Sequence, residues 1–324
     1  MRASPGIESR RGFTLIEVLV SVTILLAIVG MLSVVFNEIS RAWQKGEGRG
    51  ERRRSARSLA DFIAAELQGA LLPVETVGKA GQGNLQLLIN PPSSQVPDDF
   101  RNADAAFWQA PIAVETSLGE VAGVGYFVKW MKTDAAPVPR PVLCRFFVNP
   151  SAQSSSGAFT KNPDFKIYDP TNPDSWLNKS LLDGVAPADK AHGYVGLFAE
   201  NVIGLWLRCT GLDGVELPKA FDSRKGYPLT VKYADASGNQ QTKIERRYLP
   251  ASVTVSIAQL DSRLAVRMDP VWESVRKLSR DTGVRDAADF VDRMQTEAKS
   301  NAALRPLLGG LRTYTTQIQL INGR

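Results

Sequence analysis

Apolar and polar positions divide this chain into three regimes. From Val18 to Asn37 no charge occurs for 20 residues, and the run is mostly Val, Leu, Ile, Ala and Met. At 1.5 Å per residue such a run crosses a hydrocarbon core of about 30 Å, so the pattern predicts a membrane-spanning helix over 13–36. From Asn37 to Leu72 the chain turns polar, but Ile39, Trp43, Leu59, Phe62, Ile63 and Leu67 recur at spacings that form a helical seam until Pro73 stops it. A single helix over 13–72 would be about 90 Å long. Gly46, Gly48 and Gly50 are where it would melt or kink.

Beyond Pro73 the pattern changes period. Short or alternating apolar stretches at Leu85 to Ile89, Val124 to Met131, Val142 to Val148, Val202 to Leu207, Val253 to Ile257 and Thr313 to Ile321 predict strands. Turn-rich segments separate them, among them Asn90 to Ser94, Asn149 to Gly157, Asp169 to Asp174 and Asp235 to Asn239. Trp272, Val275, Leu278, Phe290 and Met294 predict amphipathic helices inserted over 262–311, ahead of the last strand. The expected fold class is α+β, with the second half of the long helix packed against a mostly antiparallel sheet. The head, 73–324, is about 250 residues, enough to bury its own core.

Charge sharpens the N-terminal reading. Met1 to Arg11 holds Arg2, Arg10 and Arg11 against Glu8, as a secretory signal peptide would. The apolar run is too long for such a signal, and Phe36-Asn37-Glu38 offers no small-x-small cleavage site. Glu17 stands inside the apolar run, where a carboxylate costs on the order of 3 kcal/mol at mid-bilayer and persists where something pairs with it.

Gly12 followed by Phe13-Thr14-Leu15-Ile16-Glu17 resembles the processing and methylation motif of type IV pilins and type II secretion pseudopilins. The resemblance implies a leader over 1–12, cleavage between Gly12 and Phe13 by a prepilin peptidase, and methylation of Phe13. It also implies that Glu17 pairs with the terminal amine of a neighbouring subunit in a filament. More weakly, Glu200 to Arg208 and Leu249 to Ile257 resemble late strands of the larger J-type minor pseudopilins, although Asp261 to Arg312 is longer than that pattern needs. The implied protein is a minor, tip-proximal pseudopilin or pilin-like subunit. Its partners would be other such subunits and an inner-membrane assembly platform. Before assembly it would be a single-pass protein of the cytoplasmic membrane with an extracytoplasmic head.

The stretch Arg41 to Arg57 carries seven Lys or Arg against Glu47 and Glu51, most of the net charge of +6. Contact with anionic lipid or with neighbouring subunits is favoured over nucleic acid, because no aromatic platform alternates with the arginines. By charge alone this cluster would lie in the cytoplasm. The processing motif places it outside.

Candidate chemistry in the head is sparse. Cys144 and Cys209 lie in predicted strands and either form one disulfide or remain two buried thiols. His192 is the only histidine and has no ligand-spaced companion, and Asp164, Asp169, Asp174 and Asp183 follow no calcium-loop spacing. No nucleophile elbow, phosphate loop or zinc-protease histidine pair occurs. The expectation is a non-enzymatic chain without metal or cofactor. A head that binds a surface or DNA, or a membrane-anchored enzyme, are the alternatives.

Overall fold

The computed structural model describes residues 57–71, 85–96, 103–113, 118–133, 136–154, 156–166, 175–177, 181–182, 196–265 and 271–323. Contacts divide the chain into two units, Met1–Arg54 and Ser55–Arg324, and every described residue falls in the second. The expected anchor 13–36 and the seam residues Ile39 and Trp43 therefore lie outside the described residues. Among the described residues no helix is long and apolar enough to cross a membrane.

The head is α+β and its sheets are mostly antiparallel, as the hydrophobic periods predict. Helix α1 (57–68) is followed by six strands: β1 (Leu87–Ile89), β2 (Ala105–Ala110), β3 (Ala122–Thr133), β4 (Ala136–Val148), β5 (Ser151–Gln153) and β6 (Phe159–Lys161). Next come β7 (Gly196–Glu200), β8 (Val202–Thr210), β9 (Phe221–Asp222), β10 (Tyr227–Ala234), β11 (Gln240–Arg247) and β12 (Ser252–Leu260). Four helices then precede the last strand, namely α2 (Ser262–Ala265), α3 (Trp272–Ser279), α4 (Ala287–Ser300) and α5 (Arg305–Gly310), and the strand itself is β13 (Leu311–Gln319). One sheet has six strands in the order β7-β4-β3-β2-β1-β9, and a second has three in the order β13-β12-β8. The pairs β5-β6 and β10-β11 each stand as two-stranded sheets.

Strand alternation sorts side chains into three cores. Leu87, Trp108, Tyr126 and Leu143 of the large sheet share one core with Leu205, Val253, Val255 and Ile257 of the small sheet. Helix α1 covers this core with Leu59, Ala60, Ile63 and Leu67, an i, i+4 stripe whose burial holds the helix on the sheets. Phe62, expected in that seam, is instead 38% exposed at its border, with its ring 5.2 Å from that of Phe198. On the opposite face of the large sheet, Phe107, Phe127, Cys144 and Phe146 pack with Trp176 and Leu182. On the opposite face of the small sheet, Ile203 and Trp206 meet Trp272, Val275, Phe290 and Met294 of the inserted helices.

A buried polar tie joins the two sheets. Ala103 makes a parallel bridge to Leu205, and the amide of Asp104 donates to the Leu205 carbonyl at 2.9 Å. The Asp104 carboxylate accepts from the Leu207 amide at 2.8 Å and from Asn90 Nδ2 at 2.9 Å, with Lys219 Nζ at 3.3 Å. Burial pushes the Asp104 carboxyl up from its ordinary value against the pull of Lys219. The helical insertion is fixed in a similar way. Asp286 caps α4 by accepting from the amides of Ala288 and Asp289, while the Ser256 hydroxyl of β12 accepts from Ala287.

Gly125 shows how tightly the outer face of the large sheet is filled. A Cβ there would lie 2.2 Å from Phe107 Cδ1 and 2.8 Å from the Ala106 carbonyl oxygen, which belongs to the paired strand and has no room to yield. Gly125→Ala is therefore expected to destabilise by about 1–3 kcal/mol. Gly309, in α5 with nothing within 4 Å of an added Cβ, serves as the opposite case. Gly309→Ala is expected to be neutral or stabilising by up to about 1 kcal/mol. Urea unfolding of the two variants checks both signs, and equal effects would contradict the packing argument.

Candidate functional site

Gly12, Phe13 and Glu17, the residues of the expected processing and assembly site, lie outside the described residues, as do Arg41 to Arg54 of the basic stretch. The described part of α1 opens at Arg57, whose ion pair with Asp61 at 3.6 Å is solvent-exposed and contributes little. What the structure adds is the way that helix ends on the head.

Glu66 turns inward from the last full turn of α1 and is 8% exposed. It meets Arg145 of β4 and Tyr126 of β3, both buried. The Arg145 guanidinium donates to both carboxylate oxygens, through Nε to Oε2 at 3.2 Å and through Nη2 to Oε1, and the Tyr126 hydroxyl donates to Oε2. Phe147 lies under the guanidinium with its ring centroid 4.2 Å away, and Phe62 lies at 5.6 Å. These rings replace the water that the cation loses. Burial, and then the neighbouring Glu66 charge, hold the Tyr126 phenol well above its ordinary value, so it remains a donor.

The last carbonyls of α1 are also satisfied by tertiary partners. Trp108 Nε1 donates to the Glu66 carbonyl at 3.2 Å, and Asn322 Nδ2 donates to the Ala70 carbonyl at 3.1 Å. The amide of Leu71 donates to the Gln109 carbonyl at 3.0 Å, carrying the chain onto β2. A helix end left with bare carbonyls would cost free energy, and here each partner also fixes where the helix stops. The periodicity of the sequence points to the apolar stripe of α1. It does not point to Glu66, because a single glutamate on a helix ordinarily faces water.

Residues 9–33 match the family model of the prokaryotic N-terminal methylation motif. The chain carries the type IV pilin and pseudopilin signal. No curated protein and no solved structure matches the chain. The matched motif is a signal of membrane-anchored, pilus-associated proteins, and it supports processing by prepilin peptidase and assembly with other pilin subunits.

The remaining sequence candidates separate. Cys144 and Cys209 are free, buried thiols and form no disulfide. The reason is topological: Cys144 faces the outer core of the large sheet with Phe107 and Trp176, whereas Cys209 of β8 faces the α1 core. Burial pushes both thiols up to about 12. His192, Asp169, Asp174 and Asp183 lie outside the described residues, and Asp164 is exposed. Among the described residues no three His, Cys, Asp or Glu side chains converge.

The clamp and the thiols each give a test. Glu66→Ala leaves the Arg145 charge buried without its counter-ion and is expected to cost about 3–5 kcal/mol in urea unfolding. Glu66→Leu combined with Arg145→Met and Tyr126→Phe is expected to recover most of that loss, because an apolar set of similar volume removes the desolvation penalty and leaves no unmatched hydroxyl. A triple variant as unstable as Glu66→Ala would contradict the assignment. For the thiols, the folded protein is expected to resist a thiol-titrating reagent at pH 8 and to release both groups on unfolding. The folded state retains these protons to about pH 12 whereas the unfolded chain loses them near 9. The thiols' share of stability is thus full below pH 9 and lost between 9 and 12. Rapid labelling of either thiol in the folded state would refute the burial argument.

Proposed function

We propose that this protein is a pilin-like or pseudopilin-like subunit of the larger, minor sort, whose work is mechanical and interfacial and not enzymatic. The observation that carries the proposal is the methylation motif over 9–33, with Gly12 before the apolar Phe13 and Glu17 as the fifth residue after the cut. In this reading a peptidase removes 1–12, Phe13 becomes the methylated terminus, and 13–36 holds the chain in the cytoplasmic membrane until it packs into a filament near the tip. The Glu17 carboxylate, costly in hydrocarbon, pairs with a neighbour's terminal amine. The basic stretch Arg41 to Arg57 sits where the helix leaves the membrane and meets anionic head groups or adjacent subunits.

The clamp at Glu66 supports a mechanical role. A subunit that transmits position along a helix needs a head whose register against that helix is fixed, and a buried, multiply bonded ion pair does this better than an apolar stripe that can slide by a turn. N-terminal peptide mass spectrometry of the native membrane fraction tests the proposal. The mature protein is expected to begin at methylated Phe13. A product retaining Met1, or one beginning beyond Phe36, would overturn it.

A further inference from the structure

The β10-β11 ribbon pairs over eight positions, from Tyr227 opposite Arg247 to Ala234 opposite Gln240, and joins no other strand among the described residues. Only its base is held: Tyr227 is buried beside Phe221, and its hydroxyl accepts from the Leu212 amide at 3.1 Å. From Thr230 to Ile244 every residue is exposed or half-buried. A two-stranded ribbon without such support is marginal in water, yet this one keeps an unbroken register to its tip. The tip is preorganised, because the Asp235 carboxylate accepts from the amides of Ser237 and Asn239, both at 2.9 Å. An element already ordered loses little entropy on meeting a partner.

The two faces of the ribbon differ in charge. Residues opposite one another share a face, and on one face Glu245 neutralises Arg247 at 2.9 Å and approaches Lys243 at 3.6 Å. The other face carries Lys232, Ile244 and Arg246, all exposed, and no acidic residue. Ile244 is 73% exposed at its centre. Neither Lys232 nor Arg246 has an acidic partner among the described residues. Arg246 is nonetheless held in place, because its Nη1 donates to the Lys225 carbonyl at 2.7 Å.

We propose that this face of the ribbon docks onto the acidic surface of a different protein, with Ile244 entering an apolar recess and Lys232 and Arg246 meeting carboxylates at its rim. A second copy does not fit face to face, since stacking this face on itself would set Lys232 and Arg246 against like charges. A nucleic acid fits less well, because two cations neutralise few phosphates and the central isoleucine would meet a charged backbone. Eight pairs at about 3.4 Å per residue give a face only a few hundred Å² in area, so the contact belongs to the transient class.

The test uses the full-length protein in its native membrane, with a photoreactive amino acid in place of Ile244 and mass spectrometry of the adduct. The expected adduct joins Ile244 to a segment of another protein that carries clustered Asp or Glu. Its yield should fall about tenfold when Lys232→Glu and Arg246→Glu are combined, and less with Lys232→Gln and Arg246→Gln. Both positions are exposed, so the four substitutions leave the core untouched, and unchanged circular dichroism verifies this. An adduct to nucleic acid, to lipid or to a second copy, an adduct indifferent to charge reversal, or none at all would each overturn the proposal.

Discussion

The head is organised around one buried ion pair, Glu66 with Arg145, closed by Tyr126. Its members come from three elements, α1, β4 and β3, and none can leave without exposing a charge or an unmatched donor to an apolar surround. Apolar packing alone would hold α1 on the sheet. It would not distinguish one helical register from the next, because Leu59, Ile63 and Leu67 present similar surfaces one turn apart. The ion pair removes that degeneracy. Its desolvation is costly, and the rings of Phe62 and Phe147, together with hydrogen bonds to both carboxylate oxygens, offset much of that cost.

A second constraint concerns the seam between the sheets. Both contribute to the core under α1, so they must keep a fixed relation, and no continuous ladder connects them. Asp104 provides the connection by accepting from a backbone amide of β8 while Asn90, at the end of β1, steadies it. Ala103 and Asn90 take positive φ values of 82° and 49° to allow this, a local strain of the kind tolerated where surrounding structure over-determines the backbone. Asn adopts that region readily and Ala does not, so the cost falls mainly on Ala103.

The legible parts of this fold were those where one face meets a core and the other meets water. β12, with Val253, Val255 and Ile257 alternating inward, and α4, with Phe290 and Met294 one turn apart, announce themselves by period. β2 did not, because all six residues of Ala105–Ala110 are buried and a strand buried on both faces has no alternation. The ribbon was hidden for the opposite reason. Its outer half is open to solvent on both faces, so only its turn, Asp235 to Asn239, could be read. Of the candidate site, Glu17 stands out because it breaks the apolar run, and Gly12 and Phe13 because they mark the boundary between that run and the basic leader. Glu66 did not, since its role depends on an arginine 79 positions away in the chain.

The placement of the two cysteines in different sheets and different cores carries a consequence for how the head folds. A chain whose thiols cannot reach one another needs no oxidant to complete its fold, and no isomerase to correct a wrong pairing within the molecule. Its native state is therefore the same in a reducing and in an oxidising compartment. Folding is independent of the redox poise of its surroundings, and the packing of three cores does the work that a covalent link often does in smaller secreted domains.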